Sequence, residues 1–321
     1  MEEDKRERAV RIGVSTCLLG EPVRYDGGHK LDRFVVETLG PYVEFLPVCP
    51  EVECGLPVPR EAMHLAGDPE NPRLVTIRTG IDLTAKMAAW AKKRVKDLES
   101  ENLSGFIFKS GSPSSGMERV KVYNEKGLPS KTGKGMFAKA FMENFPWIPV
   151  EDDGRLHDPL LRENFIEAIF TSGRWRDLAE GKKSLAGLVA FHTSHKLLLL
   201  SHSRKHLDQM GRLVAEGKKV PLPKLYSSYG DLLFQALKVK TTRKKNTDVL
   251  MHAMGYFRKE LSPDEKAELL ETIENYRKEL VPLVVPLTLI RHYIRKYSES
   301  YLEGQFYFNP HPLEVILRNH V

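Results

Sequence analysis

Three short apolar runs mark the first third of the chain: VRIGVS (10–15), YVEFLPV (42–48) and GFIF (105–108). Each is rich in β-branched or aromatic residues and bounded by turn formers, the pattern of buried strands. Between them the period lengthens. LDRFVVETL (31–39) and DLTAKMAAWAKKRVKDL (82–98) carry apolar residues at helical spacing. In the second, Leu83, Met87, Trp90, Val95 and Leu98 fall close to one face, and Asp82 stands where an N-cap would. Strand–helix–strand alternation predicts a parallel sheet. NFPWIPVEDDGRLHDP (144–159) breaks the periodicity and reads as a hinge. From about residue 185 the pattern is helical nearly throughout. SLAGLVAFHTSHKLLLLSHSRKHLDQMGRLVAEG predicts one or two helices ending at Gly217, and SPDE (262–265) is a capping-box start. The fold class is therefore α/β: a mostly parallel N-terminal sheet flanked by helices, followed by an all-α C-terminal domain. The expected division is 1–153, a helical linker 154–188, and 189–321.

All three strands run into Gly/Pro-rich loops: TCLLGEPVRYDGGHK, CPEVECGLPVPRE and KSGSPSSGMER. In parallel sheets, ligands bind where loops leave the carboxyl ends of the strands. Cys17 and Cys49 stand directly at two of those ends, so the loops read as an assembled site rather than as simple turns.

At 321 residues the chain has room for two domains with real cores. Its 41% hydrophobic and 29% charged residues are those of a soluble globular protein. No apolar run reaches the roughly 20 residues of a membrane span. The start, MEEDKRERAV, lacks the apolar core of a signal peptide. Three cysteines argue against a disulfide scaffold, so a cytoplasmic location is expected. The net charge of +6 is unevenly placed: residues 191–321 hold about 21 Lys+Arg against about 14 Asp+Glu. That excess suits an anionic partner such as nucleic acid, or a solubilising surface.

Cys17, Cys49 and Cys54 contain no C-x-x-C pair, so they are either brought to one metal from separate loops or are buried thiols. Glu51, two residues after Cys49, is a natural general acid/base beside such a metal, or a surface carboxylate. LPSKTGKGM (128–136) fails as a phosphate loop, because no Ser or Thr follows the lysine and the first glycine is misplaced. His192, His195, His202 and His206 fall close to one helical face at spacings that zinc can use. Lys196, Arg204 and Lys205 on the same stretch favour an RNA-facing or solvated face instead. The densest basic run holds Lys238, Lys240, Arg243, Lys244 and Lys245, with Tyr256 and Phe257 following. Cations next to aromatics suit phosphates and stacked bases.

VSTCLLGEPVRYDGGHK, PVCPEVECGLPVPRE and FKSGSPSSGMERVKVY resemble, in order and spacing, the three signature segments of the thiouracil desulfidase (TudS-like) family over roughly residues 8–150. FHTSHKLLLLSHS, HAMGYF, VPLTLIRHY and QFYFNPHP give the second half a likeness to the helical YbgA-like domain. The combination resembles desulfidases that remove sulfur from 4-thiouridine in tRNA.

The resemblance implies a 4Fe–4S cluster on three cysteines, with one iron open to the substrate's thiocarbonyl sulfur. Water then attacks the ring carbon and sulfur leaves as hydrosulfide, with no net redox change. Cys17 and Cys49 match the first two ligands, Glu51 the acid/base and Ser112 the serine near the substrate. At the third ligand position stands Ser115, whose hydroxyl is a hard, weakly acidic donor. Three readings follow: Ser115 is an engineered substitution; Cys54 takes over as third ligand; or the cluster is lost and RNA binding remains. The implied function is desulfidation of thiolated uracil, foremost 4-thiouridine in tRNA. The alternatives are a non-catalytic RNA-binding protein and a desulfidase of free thiolated bases.

Overall fold

The structure is a computed structural model that describes residues 10–310. The charged N-terminal run up to residue 9, and His311 and Pro312 of QFYFNPHP, lie outside the described residues. The chain divides into two compact units, Met1–Asp158 and Pro159–Val321.

In the first unit the apolar runs pair as expected. β1 (Val10–Ser15) lies between β2 (Val43–Val48) and β5 (Gly105–Phe108), all parallel. The register sets Ser15 beside Val48 and Val14 beside Ile107. The three loops therefore leave one edge of the sheet side by side. The segment read as a hinge supplies a fourth strand instead: β8 (Val150–Asp152) pairs parallel with β5. Glu151 and Asp152 are buried there, and Arg155 reaches back to Glu151 through Nε at 2.5 Å. Those contacts, rather than apolar side chains, hold the acids inside, and this is why the periodicity fails.

A second sheet, ordered β4-β3-β6-β7, has no counterpart among the expected strands. It comprises β3 (Met63–Ala66), β4 (Arg73–Thr76), β6 (Val120–Tyr123) and β7 (Pro129–Gly133). Of the helices, α1 (Pro50–Glu53) is one turn, α2 (Thr84–Leu98) fills the expected span, and α3 is Met136–Asn144. Asp82 Oδ1 accepts from Thr84 N at 2.9 Å, as an N-terminal cap should. The run 31–39 yields only a π-helical segment, Phe34–Leu39, and a 3₁₀ turn, Gly40–Tyr42. The core of the main sheet packs Phe106, Phe108, Phe137 and Phe141 against α2 residues Ala91, Val95 and Leu98.

The second unit is all helical among its described residues: α4 (Pro159–Glu180), α5 (Leu185–His202), α6 (Arg204–Ala215), α7 (Leu222–Lys238), α8 (Arg243–Met254), α9 (Pro263–Arg277), α10 (Val284–Tyr297) and the short α11 (Ser300–Glu303). The long expected helix is two, because Ser203 ends α5 and caps α6, accepting from His206 N. Ser262 and Glu265 form the capping box at α9. α4 joins this core through Trp175, which stacks on Tyr229 with ring centroids 5.2 Å apart.

Candidate active site

A cavity of about 460 Å³ opens at the carboxyl edge of the parallel sheet. All three strand-end loops line it: Cys17, Arg24 and Lys30 from the first, Cys49, Glu51 and Arg60 from the second, Lys109 to Ser115 from the third. Strand register alone brings these residues together from positions nearly 100 residues apart in sequence.

Cys17 sits in the 3₁₀ turn Thr16–Leu19 and is buried. Burial pushes its thiol up to about 11, against the opposing fields of Lys109 and Arg24. Cys49 is the N-cap of α1, and its Sγ lies 4.0 Å from the Val23 carbonyl. Burial raises its pKa as well. Cys54 is not among the cavity-lining residues. Its Sγ donates to the Glu51 carbonyl at 3.3 Å, and it packs with Leu65, Leu74 and Met87 on the second sheet's core. Among the described residues no three His, Cys, Asp or Glu side chains cluster as a metal site.

Glu51 is the most constrained carboxylate in the cavity. Arg60 Nε donates to its Oε2 at 2.9 Å, and Arg60 Nη2 donates to the same oxygen. Nη2 also reaches the Val23 carbonyl at 3.0 Å. The Arg60 side chain is only 5% exposed. On the other side, Ser114 Oγ donates to Glu51 Oε1 at 2.8 Å. With its own proton committed, Ser114 accepts from Ser112 Oγ at 3.0 Å. Ser112 Oγ in turn accepts from Ser114 N at 3.3 Å and Ser115 N at 3.1 Å. Ser112 thus fastens the loop, and Ser114 is the serine that meets the carboxylate. Ser115 is buried at 4% exposure, and among the described residues its hydroxyl has no hydrogen-bond partner.

The serine loop is clamped from behind. Phe137 N, at the start of α3, donates to the Ser114 carbonyl at 2.9 Å, and Gly135 N to the Gly116 carbonyl at 2.7 Å. A Cβ on Gly135 would lie 2.6 Å from the Ser114 carbonyl carbon and 2.7 Å from Gly116 N. Gly135 of LPSKTGKGM thus serves this close approach rather than a phosphate, and Gly133 lies against Val122 and Val120. At the other end, Asp153 just beyond β8 accepts from Lys109 Nζ at 2.7 Å and Ser110 N at 2.6 Å.

In the second unit three of the four histidines face inward, which corrects the expected RNA-facing or solvated face, while His206 is partly exposed and lies 2.8 Å from Ser203 Oγ through Nδ1. His192, His195 and His202 are buried. Leu188, Leu197, Leu198 and Leu199 of α5 lie in the bundle core. Tyr229, Arg174 and the Val239 carbonyl take up the imidazoles in turn. The basic run also divides. Arg243 Nη1 donates to the Tyr276 carbonyl at 2.8 Å, and Lys245 Nζ to the carbonyls of His202 and Lys240. Lys238, Lys240 and Lys244 are exposed. Phe257 is buried in the core, while Tyr256 stacks on Tyr301 with ring centroids 4.9 Å apart and stays exposed.

Residues 12–153 match the family described as 2-thiouracil desulfurase, and residues 196–312 match a protein family of unknown function, DUF1722. A solved structure of a [4Fe-4S]-dependent thiouracil desulfidase, TudS, is 32% identical, covering 46% of this chain and 93% of that one, with a TM-score of 0.39. The two family matches define a TudS-like domain fused to a YbgA-like helical domain. The chain belongs to the family of YbgA, an uncharacterized protein of Escherichia coli (strain K12), to which it is 32% identical over 152 residues, 47% of this chain and 90% of that protein.

Proposed function

We propose that the first unit is a desulfidase of thiolated uracil, acting on 4-thiouridine in tRNA, and that the second unit binds the RNA. One observation carries the reading: Cys17, Cys49, Ser115 and Glu51 line a single cavity at the edge of a parallel sheet. The 2-thiouracil desulfurase match over residues 12–153 supports it. The donor set fits a 4Fe–4S cluster at two positions with thiols and at the third with a hydroxyl that has no competing partner. Cys17, Cys49 and Ser115 would hold it; Cys54, directed away from the cavity, would not. When bound, such a cluster supplies a thiophilic, Lewis-acidic iron for the substrate's sulfur.

The chain's own residues supply positioning and proton transfer. Glu51 Oε2 is saturated by two Arg60 nitrogens, whereas Oε1 has only Ser114. A carboxylate oxygen accepts about two hydrogen bonds, so Oε1 is the atom left to take a proton from an attacking water. Ser112 and Ser114 fix the loop that carries Ser115. Free thiols suit a cytoplasmic protein, and among the described residues no helix is long and apolar enough to cross a membrane. The exposed Lys238, Lys240 and Lys244 support RNA contact.

Ser115 favours a second reading, a non-catalytic RNA-binding protein whose cluster site has decayed. Anaerobic reconstitution of the protein beside its Ser115→Cys variant separates the two. Iron and sulfide content, the visible spectrum and hydrosulfide release from 4-thiouridine are measured. About four irons with turnover in the protein itself upholds the enzyme reading. Loading only in the variant makes Ser115 a disabling residue on a desulfidase scaffold, and loading in neither sinks the proposal. Comparing thiolated tRNA with free 4-thiouracil then tests the substrate.

A further inference from the structure

A second cavity, of about 690 Å³, lies within the helical unit between α5 and α6. His192 lines it although its residue surface is only 5% exposed. Its Nδ1 lies 3.1 Å from the hydroxyl of Tyr229, which is itself fully buried. That contact fixes the tautomer. If Nδ1 carried the proton, the buried Tyr229 hydroxyl would accept it and leave its own hydrogen without an acceptor, which is costly in a core. The phenol therefore donates to Nδ1, and the imidazole proton sits on Nε2.

Nε2 faces Gly211 across the groove: a Cβ there would be 3.7 Å from it. Among the described residues this N–H has no acceptor. A core residue is thus held in one orientation with a donor presented to open space. Around it the lining supplies the Thr193 hydroxyl, Lys196 and Arg212, against one acid, Asp208. Neither Lys196 nor Arg212 has an ion-pair partner among the described residues. Val189, Leu207 and Val214 give the rest of the groove an apolar wall.

We propose that this groove binds a phosphate ester, with His192 Nε2–H, Thr193, Lys196 and Arg212 donating to the phosphoryl oxygens and the apolar wall taking the organic body. A multi-oxygen anion is the group that satisfies convergent donors and two cations at once. A free nucleotide or an RNA chain could supply it; the RNA source rests on the proposed RNA binding of the second unit, the nucleotide source does not, and neither depends on the desulfidase reading of the first unit.

The full chain, labelled with ¹⁵N-histidine, is titrated with uridine 5′-monophosphate and, separately, with an unmodified tRNA transcript. The site requires that one probe shift the His192 Nε2 resonance. It also requires that Lys196→Ala/Arg212→Ala, neither of them buried and neither bonded to Tyr229, weaken that probe about tenfold or more. A shift with the mononucleotide assigns a free nucleotide as ligand; a shift with tRNA alone assigns a chain phosphate. An unmoved His192 resonance with both probes, or unchanged affinity in the double variant, overturns the proposal.

Discussion

Arg60 holds Glu51 by one oxygen only: Nε and Nη2 both converge on Oε2, and Oε1 is left to Ser114 and the cavity. The guanidinium fork does this because it offers two parallel donors in fixed geometry, which a lysine cannot. With a side chain 5% exposed, Arg60 is buried against a single carboxylate, and removing either partner strands the other.

Arg60→Ala should therefore lower hydrosulfide release from 4-thiouridine by about a hundredfold, chiefly in kcat, because Glu51 loses its orientation. Arg60→Lys, which keeps the charge but not the fork, should fall between. Loss of a buried partner should also cost about 3 kcal/mol or more in urea denaturation. Equal kcat in all three proteins would show that Glu51 needs no such anchor.

The serine loop makes a second, steric prediction. Gly135→Ala places a Cβ inside the backbone of Ser114 and Gly116. Neither backbone can yield without moving the Ser115 carbonyl-side loop and the Glu51 contact. The expected cost is about 1–3 kcal/mol, accompanied by loss of reconstituted iron. Gly127→Ala, with nothing within 4 Å of the added atom, is a control for general loop perturbation, although its positive φ carries its own strain.

Cysteine variants should separate by cavity. Cys17→Ala and Cys49→Ala should abolish iron loading, whereas Cys54→Ala should leave it unchanged, since Cys54 packs with Leu65 and Met87. Iron lost in Cys54→Ala as fully as in Cys17→Ala and Cys49→Ala would restore Cys54 as the third ligand.

The fold was legible where the chain obeyed one rule at a time. Fully buried parallel strands read as continuous apolar runs; Gly105–Phe108 is such a run, and Val10–Ser15 departs from it only at the ion-paired Arg11 and the terminal Ser15. β7 (PSKTG) has four exposed residues and no apolar alternation, so nothing in its pattern announces a strand. Cys17, Cys49 and Glu51 stood out by their place at strand ends. Arg60 did not, because a single arginine in a proline-rich loop gives no hint that it folds back nine residues onto Glu51. Ser114 was hidden between two serines of equal standing until the hydrogen bonds separated them. The α5 histidines carried helical spacing but no sign of their surroundings: periodicity tells which residues share a face, not whether that face is wet.

Those buried histidines predict acid sensitivity. Burial, with Lys196 nearby, pulls His192 down to about 4 from an ordinary 6.5, and His195 is held well below its ordinary value too. Between pH 6.5 and 4 the unfolded chain binds protons that the folded chain refuses. Stability should therefore fall as pH drops through that window and stop changing on His192's account near pH 4. The loss from His192 alone is about 2–3 kcal/mol. Urea denaturation at pH 7 and at pH 4.5 should show it, and His192→Gln should flatten the difference. An unchanged pH slope in that variant would mean that other groups set the acid limit.

The basic run, finally, should behave as two populations. Lys240 and Lys244 are exposed and tied to no acid among the described residues, so charge reversal at both should weaken tRNA binding without disturbing the fold. If each neutralises one phosphate, the slope of log K against log salt should flatten by about two. Arg243 is different. It donates to the Tyr276 carbonyl, pairs with Glu279 and lies 4.9 Å over the Tyr276 ring. Arg243→Glu should therefore lower the melting temperature, and any loss of affinity should follow from unfolding rather than from a missing phosphate contact. Fluorescence anisotropy with a tRNA transcript over a salt series, alongside thermal melts, distinguishes the two. A Lys240→Glu/Lys244→Glu protein with native affinity and an unaltered salt slope would remove this face from the RNA-binding surface.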